Sequence, residues 1–133
     1  MTGPFQIGDL LIECATETDH ERLQGTWVSF AGRRDADMVV AGNCFTVRFA
    51  DGDLYTGTFT LDADARPRRI DMLIDDGPDR HRGKLALCIY ELDGDTLRWC
   101  PAEPGVEVRL TEFAAFSDPK NLCLVFRHEE PID

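Results

Sequence analysis

The sequence predicts an all-β protein: an antiparallel, up-and-down β-barrel of eight to nine strands with a short N-terminal helix. Three observations lead to this prediction. From residue 25 onwards, short runs alternate apolar and polar side chains, Gly, Asp or Pro separates the runs, and the links between them have hairpin length. A chain of 133 residues favours a single domain. We place that domain at residues 18–133 and treat residues 1–17 as an N-terminal extension.

A short helix is predicted at about residues 18–24, ahead of the first strand. Thr18 is followed three residues later by Glu21, which is the spacing of a capping box, and Gly25 provides a stop signal. Upstream, the apolar segment at 7–15 is compatible with a helix or a strand. Acidic residues interrupt it and no basic region precedes it, so it does not resemble a signal peptide.

Eight runs with a period of two predict the strands of the barrel. In one of them, Phe45, Val47 and Phe49 share a face; in another, Gly57 stands in mid-strand, where it leaves room or lets the sheet bend. The runs are TWVSFAG, CFTVRFA, LYTGTFTL, RRIDMLID, KLALCIYEL, DTLRWC, VEVRLTEF and NLCLVFRH.

The stretch CIYELDGDTLRWC, at residues 88–100, predicts a β-hairpin. Asp93–Gly94 is a strong signal for a two-residue turn, and this loop pairs Cys88 with Trp99. Because side chains alternate between the two faces of a strand, Cys88 and Cys100 then lie on opposite faces and cannot form a disulfide. A three-residue loop would bring them to one face, but still not directly opposite each other.

The composition restricts the classes of function. The formal net charge of −11 disfavours binding to nucleic acid, because an acidic surface repels phosphates. No apolar run approaches the roughly 20 residues of a membrane-spanning helix. Five cysteines, an odd number without a Cys-x-x-Cys motif, predict reduced thiols and a cytoplasmic protein.

Basic residues are nevertheless clustered in three predicted turns, at Arg33–Arg34, at 66–69 and at 80–82. Each cluster lies beside acidic residues. We interpret these clusters as solvated loops, with an anion site as the alternative.

Patterns for cofactor or metal chemistry are weak. The Asp-rich turns lack the spacing of a calcium loop, and the three histidines are far apart in sequence. Neither serine is flanked by the glycines of a nucleophile elbow. We therefore predict no cofactor and no metal. Asp71 lies on the opposite strand face from Ile70 and Met72. It is exposed if the apolar face forms the core, and buried if the face that carries Asp71 points into the barrel.

Several motifs resemble those of a known family. LQGTW, at 23–27, has the Gly-x-Trp pattern that opens the first strand of lipocalins, and Arg127 in LVFRH matches the basic residue that packs over that Trp. The motifs RRIDM, IYELDGDTLRWC and RLTEF resemble an uncharacterised lipocalin-like (calycin-type) domain family that is abundant in planctomycetes.

This resemblance covers about residues 20–128 and departs from the family pattern at Cys88 and Leu110, where the family has Gly and Pro. It implies a fold and a structural signature but no catalytic residues. The signature residues are Gly25, Trp27, Asp71, Gly94, Asp95 and Arg127.

For function, the sequence favours a barrel that binds an apolar or amphipathic small molecule. Inward-facing aromatic and aliphatic side chains with a few polar groups are typical of a ligand pocket. The candidate residues are Tyr55, Phe59, Tyr90, Trp99 and Arg109.

Two alternatives remain. A barrel filled by its own side chains would instead be a protein-interaction or regulatory module, whose acidic surface or N-terminal segment meets a partner. A barrel enzyme would use Asp71, Tyr90 or Arg109 for acid–base chemistry on an apolar substrate.

Overall fold

The computed structural model describes residues 18–118 and 120–129. It contains one helical turn, α1 (Asp19–Arg22), and eight strands. The strands are β1 (Gly25–Ala31), β2 (Ala36–Ala41), β3 (Cys44–Phe49), β4 (Leu54–Asp62), β5 (Arg68–Asp76), β6 (Leu85–Asp93), β7 (Thr96–Cys100) and β8 (Leu124–Glu129). The predicted extension at 1–17, with the segment at 7–15 and Cys14, lies outside the described residues.

The eight strands form a closed antiparallel barrel in chain order. Each strand pairs with its neighbours in sequence, and β1 closes the barrel by pairing with β8. The predicted all-β, up-and-down barrel is therefore confirmed. Side chains alternate between interior and surface along the strands, and the interior is apolar throughout the described residues, with no buried charged side chain.

The predicted N-terminal helix is also confirmed, although it is only one turn long. Thr18 and Glu21 form both hydrogen bonds of the capping box. Trp27 Nε1 donates a hydrogen bond to the Leu23 carbonyl at 2.8 Å, which ties the end of α1 to β1. Among the described residues, no helix is long and apolar enough to cross a membrane.

One predicted strand is absent, and one observed strand is not among those predicted. Residues 106–113 form no strand, because β7 pairs directly with β8 and the closed barrel leaves no free edge for another strand. Conversely, β2 was not predicted from its sequence. Its buried positions alternate as expected at Met38 and Val40, but the outward-facing Val39 between them is also apolar and hides the period of two.

The hairpin between β6 and β7 has the predicted faces but a different register. Its loop is Gly94–Asp95, with Gly94 at a φ of +61°, a conformation that glycine adopts readily. Trp99 therefore lies opposite Tyr90, and the predicted pairing of Cys88 with Trp99 is wrong. Cys100 lies opposite Ile89, so Cys88 and Cys100 do face opposite sides of the sheet.

Trp27 is buried, with 1% of its surface exposed, but Arg127 does not pack over it. The register of β1 and β8 places His128 opposite Trp27, with ring centroids 4.7 Å apart. Arg127, one residue away, points to the outer face and lies 5.0 Å from the Phe30 ring centroid. His128 therefore occupies the place that the resemblance assigns to Arg127. Gly25 makes room for it, because a Cβ atom at Gly25 would lie 2.7 Å from His128 Nε2.

One end of the barrel is closed by α1. Asp19 accepts a hydrogen bond from the Tyr90 hydroxyl at 2.6 Å, and Arg68 donates to the same carboxylate at 3.0 Å. Burial and this bond to Asp19 raise the pKa of Tyr90 well above its usual value. Because strands alternate in direction, the loops β1–β2, β3–β4, β5–β6 and β7–β8 all gather at the opposite end. We call that opposite end the mouth.

Candidate functional site

A cavity of about 300 Å³ opens at the mouth of the barrel. Its floor and walls are inward-facing side chains of β3 to β7, which the alternation of each strand directs to the interior. The apolar lining includes Val47, Phe49, Tyr55, Met72, Ile74 and Trp99. Such a cavity can take up a small apolar group out of water.

Tyr55 and His81 form a polar pair in the lining of this cavity. The Tyr55 hydroxyl and His81 Nδ1 are 2.8 Å apart, and the two rings are stacked. Burial raises the pKa of Tyr55, whereas burial and the nearby Arg80 lower the pKa of His81. Both side chains are therefore uncharged at neutral pH, and they can orient a ligand by hydrogen bonds.

The rim of the cavity carries more positive than negative charge. Arg33, Arg34 and Lys120 are basic, and Glu103 is acidic. The Arg34 guanidinium lies 3.7 Å from the Phe49 ring centroid. This arrangement contrasts with the whole chain, in which 25 acidic residues outnumber 14 basic ones.

The basic groups on the rim differ in how they are compensated. Arg34 is paired with Asp51 at 2.7 Å, and Asp53 lies 3.5 Å from the same guanidinium nitrogen. Within the described residues, neither Arg33 nor Lys120 lies within 4.0 Å of a carboxylate oxygen. Asp118 interacts with Arg33 electrostatically at longer range, but neither Arg33 nor Lys120 is held in an ion pair in this part of the chain, so both can contact an anion.

Trp99 contributes a ring face rather than a hydrogen bond. Only 5% of its surface is exposed, and its Nε1 is buried without a hydrogen-bond partner among the described residues. The Cys88 thiol lies beside this N–H, but its sulfur does not meet the geometry of a hydrogen bond with it. Burial raises the pKa of Cys88 to about 12, so its thiol is protonated at neutral pH.

The structure separates the five residues predicted to bind a ligand. Tyr55 and Trp99 line the cavity. Phe59 lies at the closed end, where its ring stacks on His20, and Tyr90 bonds to Asp19 there.

Arg109 lies outside the barrel, where it donates hydrogen bonds to Asp71 at 2.5 Å and to the Cys88 carbonyl at 2.8 Å. Asp71 thus faces outwards, but Arg109 covers part of it. The three residues considered for an enzyme are not brought together, because Tyr90 is inside the barrel at the closed end.

Sequence reasoning missed the rim. In the sequence, Arg33, Arg34 and His81 stand out only as parts of basic turns, and Lys120 belongs to no basic cluster. The sequence does contain a usable signal. Strands of an up-and-down barrel alternate in direction, so the turns at 33–34 and 80–82 must lie at the same end. The cluster at 66–69 lies at the other end, where Arg68 bonds to Asp19.

Comparisons of the chain with protein-family models, curated proteins and solved structures yield no match. Function must therefore be argued from the cavity itself. In the part of the chain that the structure describes, no group of three or more His, Cys, Asp or Glu side chains could hold a metal ion.

Proposed function

We propose that this protein is a lipocalin-like, cytoplasmic barrel that binds a small molecule with an apolar body and a single anionic group. The observation that carries the proposal is the position of Arg33 and Lys120 on the rim of an apolar cavity, in a chain with a net charge of −11. A rim of opposite sign to the rest of the surface favours an anion at this place. This supports an anion site, rather than only a solvated loop, for the cluster at 33–34.

The cavity is suited to a compact amphipathic ligand. Its volume of about 300 Å³ is at the lower end of the range for ligand pockets. Burial of the ligand's apolar body contributes roughly 25 cal/mol for each Å² removed from water. The apolar body would contact Phe49 and Trp99, while Tyr55 and His81 would offer hydrogen bonds above it.

A carboxylate suits this rim better than a phosphate. Glu103 lines the cavity, and Asp51 and Asp53 lie just behind Arg34. Repulsion by these carboxylates offsets part of the attraction to Arg33 and Lys120, so a dianion gains little over a monoanion here and costs more to remove from water. A monocarboxylic acid with a short aliphatic or aromatic body is therefore the ligand class that we propose.

Binding can be tested by displacement of the fluorescent anionic probe 1-anilinonaphthalene-8-sulfonate, with octanoate and 1-octanol as matched competitors. We expect about one probe site per chain and stronger displacement by octanoate than by octanol. The variant Arg33→Gln/Lys120→Gln should weaken octanoate binding about 2- to 10-fold and leave octanol binding unchanged, because it removes only the charge contacts. Arg48→Gln/Arg69→Gln, which makes the same charge change on exposed strand positions, is the control.

The competitors separate the possible outcomes. Equal affinity for octanoate and octanol would contradict the role of the rim but keep an apolar ligand. An equal loss of octanoate binding in the control variant would show that only net charge matters. Failure of the probe and of both competitors to bind the folded protein would contradict the proposed function and favour the interaction module.

The interaction module has one observation in its favour. The segment between β7 and β8 exposes Val108 to 73%, and Val106 and Phe116 are also exposed. Apolar side chains of this size on a loop can contact a protein partner. If small molecules do not bind, Val108→Ser should weaken a partner interaction without changing the free energy of unfolding by more than about 0.5 kcal/mol.

A further inference from the structure

Two thiols lie side by side at the base of the long segment that joins β7 to β8. Cys100 is the last residue of β7, and Cys123 directly precedes β8. The register that pairs Trp99 with Leu124 places Cys100 opposite Cys123 one step further along. Both are buried on the outer face of the barrel, at 0% and 2% exposure, where they pack with Ile89.

The hydrogen-bond pattern of the two strands defines the kind of pair that they form. The His128 amide donates to the Asp95 carbonyl at 2.7 Å, so these two residues form a hydrogen-bonded pair. Hydrogen-bonded and non-hydrogen-bonded pairs alternate along an antiparallel ladder, and this alternation makes Cys100 and Cys123 a non-hydrogen-bonded pair. Such pairs have Cα atoms about 4.5 Å apart, which is within the roughly 4.4–6.8 Å range of disulfides.

The two thiols also differ in character. The Ala114 amide donates a hydrogen bond to the Cys100 sulfur at 3.4 Å, whereas no hydrogen bond to the Cys123 sulfur is present among the described residues. The adjacent Cys123 and this amide lower the pKa of Cys100, whereas the adjacent Cys100 and burial raise the pKa of Cys123. Cys100 is therefore the better nucleophile, and Cys123 is positioned to react with it afterwards.

We propose that Cys100 and Cys123 are a redox-active pair that closes to a disulfide when a hydroperoxide oxidises it. The Cys100 thiolate attacks the peroxide, forming an S–O bond as the O–O bond breaks, and the leaving oxygen takes up a proton as water or alcohol. The Cys123 sulfur then attacks Cys100, forming the S–S bond and releasing the second oxygen as water. Two electrons from the two thiols reduce one peroxide, and a small thiol reverses the reaction by exchange.

The disulfide would act on the rim of the cavity. It would cross-link the base of the segment 101–122, which has no helix or strand among its described residues and contributes Ala102, Glu103 and Leu122 to the cavity lining. Fixing both ends of this segment reduces its freedom to move away from the mouth. The partly exposed Leu110 and Phe113 cover the thiols, so the oxidant must enter as this cover opens. Formation of the disulfide does not depend on the proposed ligand.

The test uses the full chain with Cys14→Ser and Cys44→Ser, which leaves three thiols. The folded protein is treated with hydrogen peroxide, denatured and alkylated with N-ethylmaleimide. We expect the alkylated thiols to fall from three to one, and trypsin to release the peptide 99–109 linked to 121–127. Dithiothreitol should restore all three. In the Cys123→Ala variant, dimedone should trap a sulfenic acid on Cys100, whereas Cys100→Ala should give no such adduct on Cys123.

Hydrogen exchange measures the effect on the segment. Amides at 105–118 should exchange more slowly in the oxidised protein than in the reduced protein, and the Cys100→Ala variant should show no difference after peroxide. A wild-type chain that keeps both thiols alkylatable, or that links Cys88 instead, would overturn the pair, and this result requires no variant to fold. A disulfide without altered exchange would overturn its effect on the rim.

Discussion

The substitution Trp27→Ala tests the closed end of the barrel most directly. Trp27 is 1% exposed, packs against His128 and donates a hydrogen bond to the Leu23 carbonyl. Truncation to Ala removes both the apolar contacts and the bond that ties α1 to β1. Loss of a buried Trp side chain costs about 3–5 kcal/mol of the free energy of unfolding.

The variant Trp27→Phe separates these two contributions. Phe keeps most of the apolar volume, but it leaves the buried Leu23 carbonyl without its side-chain donor, which costs about 1–3 kcal/mol. We therefore expect the Phe variant to be more stable than the Ala variant by about 2 kcal/mol. The neighbouring Val28 is 37% exposed on the other strand face, so Val28→Ala should cost less than about 1 kcal/mol and serves as the control.

Urea denaturation followed by far-ultraviolet circular dichroism measures all four proteins, because the midpoint and slope together give the free energy of unfolding. Equal stability of wild type and Trp27→Ala would refute the position of Trp27 in the closed end. A Trp27→Phe variant as unstable as Trp27→Ala would refute the division into an apolar and a hydrogen-bond contribution.

Two further predictions concern Tyr90 and Gly57. The pKa of Tyr90 is raised in the folded state, so the stabilisation that the protonated hydroxyl provides is complete below about pH 10 and is lost as the pH rises further. Urea midpoints measured up to about pH 11 should therefore fall more in wild type than in Tyr90→Phe. Parallel curves for the two proteins would contradict this prediction. A Cβ atom at Gly57 would lie 1.8 Å from the Leu73 carbonyl oxygen, at a bulge between β4 and β5, so Gly57→Ala should cost about 3 kcal/mol, the upper end of the usual range for overpacking. Thermal melting checks this, with the exposed Thr58→Ala as control, and an unchanged melting temperature for Gly57→Ala would show that the bulge adapts.

The class of fold could be predicted because it follows from local patterns. Alternation defines the strand faces, and the capping box between Thr18 and Glu21 defines α1. Register is less accessible, since a hairpin loop of Gly94–Asp95 instead of Asp93–Gly94 moves every cross-strand partner and keeps the same faces. At Trp27 the register of β8 decides the neighbour in another way: adjacent residues of a strand point to opposite sides, and His128 rather than Arg127 faces inwards.

The candidate site was less predictable than the fold. Inward-facing aromatic residues could be recognised, but the sequence does not show at which height in the barrel each one lies. Tyr55 lines the mouth, whereas Phe59, four residues further along the same strand, reaches the closed end. The rim depends on side chains from three loops that are distant in sequence, such as Arg33, His81 and Lys120, and only the closed topology brings them together.

Closure by β1 and β8 has a consequence for how the barrel is assembled. Thr26 pairs with Glu129, so the contact that completes the sheet joins residues about as far apart in sequence as the described chain allows. Contacts of this kind form slowly, because the whole intervening chain must first be ordered or looped out. Until β8 is in place, β1 and β7 are two open edges that can pair with other chains. Nascent or truncated chains that lack β8 should therefore aggregate, and folding to a monomer should begin only once this last strand has been synthesised.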